Sequence, residues 1–142
     1  MIVSRFTQLR TWQACDEYKR AIYSLCRDGA LARDFSRRDQ LEKSVAGPPA
    51  HIAEGFGRFN PPDFARFAVM ARASLMESQN HLLDAVQKGY IADDVRLEYD
   101  KLATVALAEV TGLITYLQSP GALENARRAK EKAVARRRER RG

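Results

Sequence analysis

The chain has 142 residues, 45% of them hydrophobic and 30% charged, a balance that fits one soluble domain with a packed core. No segment approaches the roughly 20 apolar residues that span a bilayer, and the opening MIVSRFTQLR lacks the apolar stretch of a secretory signal. We therefore expect a cytoplasmic protein that does not bind a membrane.

The net charge of +6 is confined to one end of the sequence. Residues 120–142 carry 9 Lys and Arg against 3 Asp and Glu, which leaves 15 basic and 15 acidic residues in the rest of the chain. The sequence therefore predicts a neutral domain, residues 1–119, followed by a basic C-terminal tail, residues 120–142.

The first predicted helix runs from about Thr7 to Arg27, because apolar residues recur three and four positions apart along it. Gly29 is expected to end it. Cys15 and Cys26 both lie on this helix, and a rise of about 1.5 Å per residue separates them too widely for a disulfide. We interpret both as small core residues.

The second predicted helix begins with Ser36 as its N-cap and carries apolar positions as far as Phe56. Pro48 and Pro49 interrupt it, since neither has an amide hydrogen to donate. We expect them to kink the helix or to divide it into two pieces.

The third predicted helix has the clearest start in the chain. Asn60 can cap it, Pro61 fits the first helical position, and Asp63 lies at the positive end of the helix dipole. One face then stays apolar for six turns, until Gly89 is expected to stop the helix.

The fourth predicted helix runs from a cap at Asp93 or Asp94 to Leu117. Beyond it, Ala122 to Arg141 has few sizeable apolar side chains, so we expect a frayed helix or a disordered tail. Strand signals are nearly absent. The sequence therefore predicts an all-α fold: an antiparallel up-and-down four-helix bundle with a proline-kinked second helix and a basic C-terminal tail.

The motifs for metal or catalytic chemistry are incomplete. A di-metal centre in a four-helix bundle needs two Glu-x-x-His pairs, but His51 precedes Glu54, and Glu77 precedes His81 by four residues. No Ser, Cys or Asp is tied by spacing to a histidine, and the Gly55-x-Gly57 fragment lacks the rest of a phosphate loop. We expect no metal, no cofactor and no catalytic residue, and hence no enzyme.

Two basic clusters remain as candidates for nucleic-acid binding. The first interleaves aromatic and basic residues, and it comprises Phe56, Arg58, Phe59, Phe64, Arg66 and Phe67. Helical spacing favours a core position for Phe64 and Phe67 and leaves Phe59 the least explained. The second, in the tail, has no packing role to explain it and comprises Arg127, Arg128, Lys130, Lys132, Arg136, Arg137, Arg138, Arg140 and Arg141. We predict that the tail contacts phosphates of RNA or DNA. The alternative is a protein-binding accessory subunit whose tail only keeps it soluble.

Two stretches resemble a known family: FTQLRTWQACDEYKRAIYSLCR, and PPAHIAEGFGRF followed by DFARFAVMARASLMESQNHLLDAVQKGYI. They are similar to the four-helix-bundle proteins encoded by intervening sequences in bacterial 23S ribosomal RNA genes. That family includes relatives of the accessory variability protein of diversity-generating retroelements. The similarity covers about residues 5 to 118 and excludes the tail.

The resemblance implies an up-and-down bundle that assembles into a cyclic homo-oligomer, a pentamer in the known relatives, without established catalytic activity. The retroelement relatives are similar to nucleic-acid-binding accessory subunits. The family pattern maps onto residues that we interpret as mostly structural: Pro49, Ile52, Ala53, Glu54, Gly55, Gly57, Arg58, Phe64, Arg66, Phe67, Arg72, Ser74 and Glu77. Among these, Glu54 and Arg72 are hypothesised to form a charge-assisted pair between the second and third helices.

Overall fold

A computed structural model describes residues 3–58 and 60–142, and these residues form helices and connecting turns without a strand. The predicted all-α class is therefore confirmed. The elements are a 3-10 turn, Phe6–Gln8, and six α-helices: α1, Arg10–Leu25; α2, Gly29–Arg33; α3, Phe35–Gly57; α4, Pro61–Gln87; α5, Asp93–Leu117; and α6, Pro120–Arg141.

Four long helices enclose the core. Helix α3 packs against α1 and α4, and α5 packs against the same two helices from the other side. Tyr18, Ile22, Leu41, Ile52 and Leu75 are among the side chains that are completely buried between them. Helix α6 makes few contacts with this core.

Helices α3 and α4 touch near both of their ends. Arg37, in the first turn of α3, forms an ion pair with Asp84 near the end of α4. Gly55, near the end of α3, lies against Phe64 in the first turn of α4. Helices α3 and α4 are therefore antiparallel to each other.

The start of α4 confirms the sequence prediction in detail. The Asn60 side chain accepts a hydrogen bond from the amide of Asp63 at 3.2 Å, and Pro61 occupies the first helical position. Gly89 follows the helix with a φ of 74°, a left-handed conformation that glycine adopts without strain.

Three other predicted boundaries are wrong. The first helix is shorter than Thr7–Arg27, because a separate 3-10 turn precedes α1 and the helix ends at Leu25. Gly29, with a φ of 84°, begins the short helix α2 and does not end α1. Helix α2 has only five residues, too few for hydrophobic periodicity in the sequence to indicate a helix.

Two predicted caps are also displaced. Asp34, and not Ser36, caps α3 by accepting a hydrogen bond from the amide of Arg37 at 3.1 Å. The N-cap of α5 is Ala92, so Asp93 and Asp94 lie inside its first turn, where their charge still favours the helix dipole.

Helix α3 continues through Pro48 and Pro49, which are both buried. Of the two predicted alternatives, division of the helix into two pieces is therefore wrong. Ser44, four residues before Pro48, has its hydroxyl bonded to the carbonyl of Leu41 at 2.7 Å.

Within the described ranges, no single helix is long and apolar enough to cross a bilayer. Helices α5 and α6 pass that test only as a joined pair bent by 62°, by length and composition alone.

Candidate nucleic-acid interface

Helix α6 is attached to the body of the protein at its first turn. The Ser119 side chain accepts a hydrogen bond from the amide of Ala122 at 3.3 Å, and Pro120 begins the helix. Ala122 is buried, whereas every residue from Arg127 onward is exposed, including Val134. The basic segment is therefore helical here and open to solvent along its length.

Two of the nine candidate basic residues are already paired within α6. Glu124 accepts hydrogen bonds from Arg127 at 2.6 Å and from Arg128 at 3.2 Å, and Arg127 also pairs with Glu131. The bond from Arg127, together with that from Arg128, lowers the pKa of the Glu124 carboxyl. These two guanidinium groups are consequently less available to an external phosphate.

The other seven candidates have no ion pair with any described residue: Lys130, Lys132, Arg136, Arg137, Arg138, Arg140 and Arg141. Arg136, Arg137 and Arg140 line one shallow cleft with Ala133. Lys130 and Arg138 border another, beside Val134. The free positive charge therefore lies on more than one side of the outer half of α6.

The aromatic and basic residues of the first candidate cluster are mostly engaged in packing. Phe64 and Phe67 are buried, as predicted, and the Arg58 guanidinium lies over the Phe67 ring at 5.2 Å from its centroid. Arg66 forms an ion pair with Asp63 at 3.2 Å. Phe56 is half-buried, and Phe59 lies outside the described residues.

The residues of the recognised motif divide into buried and exposed groups. Pro49, Ile52 and Gly55 face the core, and the Ser74 side chain lies against the backbone of Gly47. Ala53 is half-buried, and Gly57 is exposed with free space around it. This part of the motif therefore holds α3 close to α4.

The hypothesised pair between Glu54 and Arg72 is wrong. Both side chains are exposed, and Glu54 lies 3.6 Å from Arg58, one turn further along its own helix. Arg72 has no ion pair with a described residue. The Glu77 carboxylate lies 3.4 Å from the His81 ring on the same helix, so this contact does not connect two helices either.

The two cysteines occupy core positions, as predicted. Both are buried and free, and burial raises the pKa of Cys15 to about 12 and that of Cys26 to about 11. Both therefore remain thiols at neutral pH. Among residues 3–58 and 60–142, no group of three or more His, Cys, Asp or Glu side chains could hold a metal ion.

A polar cluster that the sequence did not indicate lies where α3 begins and α4 ends. Arg37 is 2.7 Å from both His81 Nδ1 and Asp84 Oδ2, and the Tyr90 hydroxyl donates to Asp34 Oδ2 at 2.8 Å. Because a guanidinium only donates, His81 Nδ1 accepts this bond. The partners are 44 and more residues apart in sequence, so no local pattern could reveal them.

The sequence matches the family model described as 23S rRNA-intervening sequence protein over residues 7–112. The chain belongs to this family. No curated protein matches it.

The match to the 23S rRNA-intervening sequence protein family runs from the 3-10 turn into α5 and contains the whole recognised motif. It ends before Leu117, so α6 and its nine basic residues lie beyond it. The family match therefore covers the body and does not extend to the basic helix.

Proposed function

We propose that the protein is a non-enzymatic, cytoplasmic nucleic-acid-binding protein that contacts the phosphates of RNA or DNA through α6. The observation that carries this proposal is the set of seven exposed Lys and Arg side chains on α6 without a carboxylate partner among the described residues. Such side chains contribute to binding by releasing the counterions of the phosphate backbone.

The arrangement of the charges also supports a binding role. A tail that only confers solubility needs charge of either sign, but residues 120–142 hold 9 basic and 3 acidic residues while the rest is balanced. At about 1.5 Å per residue, the 22 residues of α6 extend for about 33 Å. That length spans several phosphates of a nucleic-acid strand.

The proposal includes an architecture for the body. The helices α1, α3, α4 and α5 form an antiparallel up-and-down bundle, with α3 bent where Pro48 and Pro49 leave backbone carbonyls without donors. Copies of this bundle assemble into a ring, a homopentamer by the family resemblance. Several arms on one ring raise the effective concentration of weak phosphate contacts.

A salt titration tests the role of α6. Binding of a labelled oligonucleotide is measured at increasing salt for the full chain and for a chain ending at residue 119. We expect the truncated chain to lose most of its affinity and its salt dependence. Equal affinity of the two chains, or no binding by the full chain at low salt, contradicts the proposal and favours a protein-binding accessory subunit.

A matched pair of variants separates free from paired arginines at equal net charge. Arg136→Gln with Arg137→Gln removes two free guanidinium groups, and Arg127→Gln with Arg128→Gln removes the two held by Glu124. For the first variant, the slope of log K against log salt should become less negative by about 0.7–0.9 per lost phosphate contact. A smaller change is expected for the second variant, and equal changes mean that only net charge matters.

A further inference from the structure

A groove lies at the base of α6, where the N-terminal segment and four helices meet. Its volume is about 430 Å³, and its lining includes Leu9, Phe56, Phe64, Tyr116 and Ala126. Leu9 precedes α1, Phe56 lies at the end of α3 and Phe64 at the start of α4, while Tyr116 lies at the end of α5 and Ala126 near the start of α6. Residues of the family motif and of α6 thus line the same apolar groove.

Tyr116 is the most exposed aromatic residue in the lining, with 56% of its surface accessible. Its hydroxyl makes no hydrogen bond to a described residue, whereas its backbone carbonyl accepts bonds from the Ser119 hydroxyl at 2.6 Å and the Ser119 amide at 3.0 Å. An open aromatic ring beside a basic helix is the arrangement by which proteins stack unpaired bases.

Two of the basic residues near the groove are free. Arg5 and Arg10 are exposed, have no ion pair with a described residue, and flank Leu9 in the chain. A polynucleotide on α6 therefore meets further positive charge beside the groove. This complementarity fits a strand of phosphates with its bases turned towards the groove.

We propose that this groove receives an unpaired base of a single-stranded nucleic acid and stacks it on Tyr116 while α6 and Arg5 and Arg10 hold the adjacent phosphates. The inference rests on the proposed function, since α6 supplies most of the backbone contacts. It adds a preference for single strands over duplex, because the bases of a duplex are already stacked and paired.

The test measures fluorescence anisotropy with the full chain and an oligouridylate or oligothymidylate of about 15 nucleotides, and a duplex of equal length. Tyr116→Leu keeps an apolar side chain but removes the ring, and it should weaken binding of the single strands about tenfold. Tyr116→Phe should bind like the unmodified chain. Duplex binding should stay unchanged in both variants, as should the salt slope.

Phe35→Leu is the matched control, because Phe35 is a 70% exposed ring beside Arg38 at the start of α3. We expect no change in binding from it. Equal affinity of Tyr116→Leu and the unmodified chain for single strands overturns the proposal, as does a preference for duplex. If removing charges from α6 has no effect while Tyr116→Leu still weakens binding, the proposed role of α6 fails and the base site stands.

Discussion

Gly55 sets how closely α3 and α4 approach each other. A Cβ atom at this position would lie 2.6 Å from Phe64 Cδ1 and 3.0 Å from Phe67 Cβ. Gly55→Ala should therefore lower the free energy of unfolding by about 1–3 kcal/mol, the usual cost of overpacking a core, despite the better helix propensity of alanine. Urea denaturation measures the change.

Gly112→Ala is the control for this prediction. Gly112 is exposed inside α5, less than two turns before the helix ends at Leu117, and a Cβ atom there meets nothing within 4 Å. It should stabilise the protein by up to about 1 kcal/mol, because alanine loses less backbone entropy in a helix. A gain at both glycines would show that α4 can yield at Phe64.

We expect Asp34 to make the free energy of unfolding depend on pH. The amide of Arg37 and then the hydroxyl of Tyr90 donate to its carboxylate, and together they lower its pKa below 3.8. The stabilisation is present above pH 3.8 and is lost as pH falls through the lowered pKa. Asp34→Asn keeps a capping oxygen but cannot titrate.

Thermal unfolding from pH 7 to pH 2 tests this prediction. The unmodified chain should be the more stable one at neutral pH, and its advantage over Asp34→Asn should shrink as the carboxyl is protonated. A constant difference across this range would mean that the charge of Asp34 contributes nothing.

At the scale of elements, α6 should be much less stable than the helices it follows. It has one buried residue, Ala122, and is held chiefly by its own ion pairs, whereas α5 buries Ala103, Ala106 and Val110. Native-state hydrogen exchange should show fast exchange along α6 and slow exchange near Val110. Bound oligonucleotide should slow exchange in α6, and equal protection of both helices in the free protein would contradict this difference.

The start of α4 was predictable because its chemistry is local. Asn60 and Pro61 are adjacent, and each favours the same boundary through its own side chain. The cap of α3 was not predictable, since both Asp34 and Ser36 can cap a helix. The structure selects Asp34, which also binds Tyr90, a residue 56 positions away.

Ion pairs between helices depend on how each helix is turned about its axis, which periodicity fixes only roughly. Glu54 was expected to pair with Arg72 on the next helix, yet it is exposed and its ion-pair partner is Arg58 on its own helix. The free and paired arginines of α6 likewise could not be told apart by charge alone. The Glu124 contacts separate them.

At the scale of the whole molecule, one surface of α4 is unusually apolar for a side that faces solvent. Val69, Met76 and Leu83 are spaced seven residues apart, so they lie on one face of the helix, and each is about half exposed. Val105 on α5 is also exposed. Exposed apolar patches of this kind mark contacts between proteins, and the proposed ring supplies such a contact.

Met76→Glu tests whether this surface joins the copies, because a carboxylate buried in an apolar interface loses its hydration without gaining a partner. Light scattering should give a multiple of 16.0 kDa for the unmodified chain and a mass near 16.0 kDa for the variant. Ser24→Glu, at an exposed position on α1, should leave the mass unchanged. A monomeric unmodified chain contradicts the ring, while a multimeric Met76→Glu variant means that a different surface joins the copies.

A ring would present several copies of α6 to the same nucleic acid. Met76→Glu should therefore also weaken nucleic-acid binding without removing any charge from α6.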